Sequence, residues 1–223
     1  MRIRSISGLA AAGAAVIILA GCSGAAEVEA PQTSAAPVVE SASPSPEVTE
    51  SAVAAPADLP GDFTAAGAQL AVGDTALLNW DHYEHGDIAL AVTVDAIRVG
   101  TLADFDSLDL DAETAAQIQG YTPVYIDVTV VKADLTQNPI EFSSIGSNID
   151  AVSAAGGPLP SFTVFGDFPM CDDESFDPDV DTGAPQSTCA IFMVPSGQEF
   201  GAAQWTDYDT IFDKFDGAPI NWS

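Results

Sequence analysis

The residues with the most chemical potential fall into four groups. The two histidines sit in Asp81-His-Tyr-Glu-His85. Two imidazoles with acids between them invite a metal reading, but His-x-Glu-His has neither of the spacings that present two rings and a base from one helix. The segment lies between two strand-like runs and ahead of Gly86-Asp87, so it reads as a polar hairpin loop. Zinc there would borrow Asp81 or Glu84 and need a further ligand from elsewhere. A second group is Asp172-Asp-Glu-Ser-Phe-Asp-Pro-Asp-Val-Asp-Thr-Gly183. Asp177, Asp179 and Asp181 alternate as carboxylates do in calcium loops. The glycine falls one place late for an EF-hand, and the twelfth position counted from Asp177 is Thr188 rather than a bidentate glutamate. A solvated acidic loop is the leading expectation, and a looser calcium site on those three aspartates is the alternative. Asp104-Phe-Asp106 with Asp109-Leu-Asp111 carries the same ambiguity. Third, the cysteines divide into Cys22 near the start and the later Cys171 and Cys189. The later two are expected to form a disulfide in an oxidising compartment. It would close a loop of about 18 residues and contribute about 3 kcal/mol on the loop-entropy account. Fourth, nucleophilic catalysis lacks its signatures: there is no Gly-x-Ser-x-Gly and no phosphate-cradling glycine loop. Carboxylate pairs are too common in this chain to select a glycosidase pair. Trp80, Trp205, Trp222, Tyr121 and Tyr125 occupy strand positions that favour packing over a sugar platform.

Charge narrows the partners. Formal net charge is -28 over 223 residues. After Cys22 the only cations are Arg98, Lys132 and Lys214. Such a surface repels phosphate, which argues against nucleic acid. Solubility is the simplest consequence.

The elements that must position these groups are mostly strands. Ile88, Leu90, Val92 and Val94 alternate in a run reaching Val99, and Val124, Ile126, Val128 and Val130 do the same, each set facing one side of a strand. Further strands are expected at 76–80, 140–142, 149–152, 161–165, 189–194, 202–205 and 220–222, separated by Gly/Pro turns. A short helix over 111–119 is capped by Asp109 or Asp111 and by Gly120, and it reads as a crossover between sheets. This pattern predicts an all-β domain over 61–223, an antiparallel β-sandwich with one short crossover helix.

The start of the chain has a different character. Arg2 and Arg4 precede an apolar run from Ile6 to Ile18 and the residues Leu19-Ala20-Gly21-Cys22. This is secretory signal architecture, and Leu-Ala-Gly-Cys resembles the lipobox of bacterial lipoproteins. The resemblance implies removal of residues 1–21 and lipidation (palmitate among the acyl groups) of Cys22. Two acyl chains on a diacylglyceryl group would anchor stably where one would not. Residues 22–60 are rich in Ala, Pro, Ser, Thr, Val and Glu, with no aromatic residue. Such a tract cannot offset its ordering entropy and is expected to be a disordered tether.

Val72-Gly-Asp74, the run to Val99, Tyr121-Thr-Pro-Val-Tyr-Ile-Asp-Val-Thr-Val130, and Cys189 to Gly197 followed by Trp205 resemble the immunoglobulin-like, telokin-like domain of unknown function in actinobacterial lipoproteins. The resemblance implies an immunoglobulin-like sandwich and transfers no catalytic residue. The chain is therefore expected to be a monomeric, lipid-anchored binding or scaffolding protein on the extracellular face of the cell membrane, without catalytic activity. Its expected partners are the membrane, through the anchor, and an envelope protein. No cofactor is expected unless it is calcium. The alternative function is calcium or solute binding through residues 172–181, with an envelope hydrolase a more distant possibility.

Overall fold

A computed structural model describes residues 61–223. The tether and lipidation expectations, Cys22 included, lie outside the described residues. Eight strands and one α-helix follow in the order β1 (Gln69–Leu70), β2 (Thr75–His82), β3 (Gly86–Val99), α1 (Ala112–Gln117), β4 (Tyr121–Lys132), β5 (Ile149–Ser153), β6 (Gln186–Pro195), β7 (Phe200–Trp205) and β8 (Ile220–Trp222). They form two four-stranded sheets, β1-β8-β7-β5 and β2-β3-β4-β6. Every neighbouring pair is antiparallel except β1 with β8. The fold is the predicted β-sandwich.

The strand period does the assembling. On β3 and β4 the register sets Val92 opposite Val130 and Val94 opposite Val128, so two rows of β-branched side chains share one face. That face meets Ile149, Ala151, Ala203, Trp205, Ile220 and Trp222 of the other sheet in one buried cluster. The register slips at Asp95, a β-bulge that increases local twist. Beyond it Ile97 still pairs with Ile126.

The β2–β6 sheet is also covered on its outer face. Tyr125, Cys189, Ile191 and Met193 project there and are buried under Phe105, Ile118, Phe168 and Cys171. The disulfide joins Cys171 to Cys189 with 5.2 Å between Cα atoms, so it ties the covering loop to β6. Arg98 braces the same side. Its guanidinium forks onto Asp127, with Nη2 to Oδ1 at 2.8 Å, and donates to the Met170 carbonyl.

Three expectations are corrected. Residues 140–142 are not a strand, because the Ile140 amide donates to the Asp181 carboxylate and Phe142 turns to φ 64°. Residues 161–165 contribute only a single bridge, Ser161 to Phe192. Helix α1 lies between β3 and β4 of one sheet, so it does not cross between sheets. Its start is as expected, the Asp111 carboxylate accepting from the Glu113 and Thr114 amides; it ends short of the expected 119, with Ile118 as its C-cap, and Gly120 takes φ 84° in the turn that follows. Among the described residues no helix is long and apolar enough to cross a membrane.

Candidate functional site

At one end of the sandwich the β2–β3 hairpin, residues 142–148 and residues 206–215 enclose a cleft of about 570 Å³. Its centre is His82, only 3% exposed. Alternation along β2 places it on the same side as Trp80, whose indole meets the imidazole edge-on with centroids 4.7 Å apart. The His82 ring also stacks on Tyr83 at 4.9 Å and on His85 at 4.6 Å. Burial, and then the neighbouring His85, hold its pKa below the ordinary imidazole value.

The neutral ring has a defined tautomer. The Glu84 amide donates to Nδ1 at 3.2 Å, so Nδ1 carries the lone pair and Nε2 carries the proton. Nε2 lies 2.9 Å from the Ser143 hydroxyl and donates to it. A serine nucleophile needs the opposite arrangement, a bare nitrogen facing its hydroxyl and an acceptor orienting the other N–H. This pair positions the hairpin against the 142–148 segment.

The carboxylates of the cleft hold backbone. Asp207 is buried and accepts from the Asp81 amide at 2.9 Å and from Asn148 Nδ2 at 3.3 Å. Desolvation pushes its pKa up. Asp213 accepts from the amides of Phe215 at 2.6 Å, Asp216 at 3.1 Å and Asp209 at 3.1 Å, and these bonds lower its pKa. Lys214 is paired with Asp150 at 2.6 Å. The loop after β7 is thereby fixed around its own aspartates.

Around this polar floor stand Tyr83, Phe142, Tyr208 and Phe215, each at least 70% exposed. These four lie on turns, beyond the alternation that marks the strand aromatics in the sequence. Trp205, Trp222 and Tyr125 are core residues, as their strand positions implied. Interleaving of acids and aromatics in Asp207-Tyr-Asp-Thr-Ile-Phe-Asp-Lys-Phe-Asp216, without period 2 or 3.6, was the available signal.

The other candidates are placed as follows. The hairpin expected at residues 81–87 is present, and His82 and His85 stack rather than converge on a point. Asp177, Asp179 and Asp181 flank or lie within a short 3-10 turn, Pro178–Thr182. Asp181 turns inward to Lys132 Nζ at 2.7 Å and to the amides of Ile140 and Glu141. Burial opposes ionisation there, but Lys132 and those amides prevail and hold the Asp181 pKa below the usual carboxylate range. Asp179 accepts from Gln186 Nε2 at 2.6 Å. Among the described residues no three His, Cys, Asp or Glu side chains are arranged to hold a metal ion. The side chain of Lys132 is 1% exposed and reaches two backbone carbonyls besides Asp181, so this ion pair is structural.

No protein-family model matches the chain, and no curated protein matches it in sequence. Among solved structures it is similar to an uncharacterized β-sandwich protein from Clostridium difficile 630. The similarity covers 73% of this chain and 97% of that one, at 14% identity and a TM-score of 0.35. That likeness is too distant to bear on what the cleft does.

Proposed function

We propose that this chain is a lipid-anchored, extracytoplasmic protein of the bacterial cell envelope that binds a ligand without turning it over, with the aromatic-rimmed cleft as its binding site. Anchorage is supported by Arg2 and Arg4, the apolar run and the Leu19 to Cys22 segment. The Ala/Pro/Ser tract that follows suits a spacer between a membrane and a folded domain. The observation that carries this reading is the rim of exposed Tyr83, Phe142, Tyr208 and Phe215 around a polar floor whose aspartates already hold backbone amides. Exposed apolar rims around a few fixed polar groups are the usual form of a binding cleft. The immunoglobulin-like lipoproteins that the sequence resembles suit the same setting.

Fractionation tests the anchor. The wild-type chain should be recovered in the membrane fraction, with a diacylglyceryl mass on the peptide beginning at Cys22. Cys22→Ala should release it or leave the precursor uncut. Wild-type protein recovered entirely in the medium with an unmodified cysteine defeats the lipoprotein reading.

A further inference from the structure

We infer that the cleft takes a neutral glycan strand, with Tyr83, Phe142 and Tyr208 as stacking platforms. This rests on the cleft being a binding site and adds the class of ligand. The first ground is the expense of displaying these rings. Phe142 sits at φ 64°, a left-handed conformation that side chains other than glycine, Asn and Asp seldom adopt. It is held there from both sides, its amide donating to the Phe176 carbonyl at 2.9 Å and the Phe176 amide donating to the Ser143 carbonyl at 2.8 Å. Tyr83 has His82 against one ring face and is 87% exposed. Tyr208 is 74% exposed on the turn that Asp213 holds through the Asp209 amide. A strained backbone at Phe142 that keeps an apolar ring in water, beside two further exposed rings, points to a ligand. Flat rings displayed this way match the C–H faces of pyranose and furanose rings.

The second ground is charge. Asp207 and Asp213 spend both oxygens on internal donors, and Lys214 is committed to Asp150. Among the described residues, Asp81 alone of the lining carboxylates has no hydrogen-bond donor on it. Within this first cavity an oligobasic peptide finds one unengaged carboxylate, and a phosphate or sulfate finds no free cation. The net charge of -28 repels polyanions as well. The hydroxyls of Tyr83 and Tyr208 make no hydrogen bond among the described residues, so they are available to sugar hydroxyls.

The third ground is extent. A second cavity of about 700 Å³, bordered by Phe165 at 95% exposure and by Asp167, Asp172, Asp173 and Glu174, adjoins the first at Ser144 and Ser147. A strand that fills the first can extend past those serines, where the four acids can accept from sugar hydroxyls.

Calorimetry and gel retardation of the full chain against soluble neutral arabinan, galactan, mannan and β-glucan, with an oligolysine peptide in parallel, test this directly. At least one glycan should bind, with affinity unchanged within about twofold when salt rises to about 1 M, because a neutral ligand is not screened. Phe142→Ala and Tyr208→Ala should each weaken binding about tenfold or more with the melting temperature of the wild type. Binding to none of the glycans overturns the assignment, as does glycan binding that both variants leave intact. Salt-sensitive binding of oligolysine alone, lost in the same variants, overturns the glycan class and keeps the cleft as a binding site. Release of reducing ends from a bound glycan keeps the glycan class and defeats the non-catalytic reading.

Discussion

The molecule treats its aromatic residues in two opposite ways. Trp205 and Trp222 lie at 0% exposure between the sheets, while Tyr83, Phe142, Tyr208 and Phe215 stand at 70% or more around the cleft. Residue type does not separate them, since Tyr125 and Phe192 are buried like the tryptophans; backbone context does. The tryptophans sit on β7 and β8, where alternation aims them at the other sheet, and Trp222 Nε1 donates to the Asp74 carbonyl. The cleft aromatics ride on turns held by their own hydrogen bonds, among them the Phe142 amide to the Phe176 carbonyl and the Phe215 amide to the Asp213 carboxylate, which keep the rings outward. A strand lets hydrophobic burial choose the side-chain direction, whereas a hydrogen-bonded turn overrides it.

The contrast can be broken from the core side first. Trp205→Ala should cost about 3–5 kcal/mol, the range for emptying a large aromatic site, read by urea denaturation. A loss under about 1 kcal/mol would mean the site behaves like the rim. Asp181→Ala strands the buried Lys132 ammonium and should cost about 3 kcal/mol or more, with calcium making no difference to the melt. A calcium-dependent melt in the wild type that this variant abolishes would restore the acidic loop as a cation site. Replacing Cys171 and Cys189 together by serine should cost about 3 kcal/mol and loosen the outer cover of the sheet, seen as faster amide exchange from residues 162–171. Phe142→Gly sharpens the contrast at the rim. Glycine accepts φ 64° freely, so stability should hold or rise by up to about 1 kcal/mol while ligand affinity falls. A destabilised Phe142→Gly would show that the ring packs after all.

The smallest effect concerns His82. Its folded pKa is lowered chiefly by burial, so the unfolded chain binds the extra proton. Stability therefore holds above the unfolded value of about 6.5 and is lost as pH falls through the folded value. Melting temperature should drop between about pH 7.5 and pH 5.5, and His82→Gln should flatten that part of the profile. An unchanged slope would place the proton uptake elsewhere.

What the sequence made legible was whatever a local period encodes. The alternations from Ile88 to Val94 and from Val124 to Val130 became β3 and β4 in register. Asp111 began the helix, and the two later cysteines bonded. What stayed hidden depends on partners distant in the chain. Ile140-Glu-Phe142 alternates like a strand, yet its course is set by Asp181, which Lys132 holds from 49 positions earlier. Ser143 gave no sign of His82, 61 positions away. The cleft is assembled from three such turns, so its residues carry no shared local pattern.

The parallel pairing of β1 with β8 has a kinetic consequence. Gln69 meets Asn221 and Leu70 meets Trp222, so the contact joins the two ends of the domain. Closing so long a loop is entropically slow, and contacts of high sequence separation retard folding. Strand β8 also lies between β1 and β7. A chain made from its N-terminus therefore cannot complete that sheet until Ile220–Trp222 have emerged. Until then β1 has no partner, and the edge of β7 remains open to pairing with another chain.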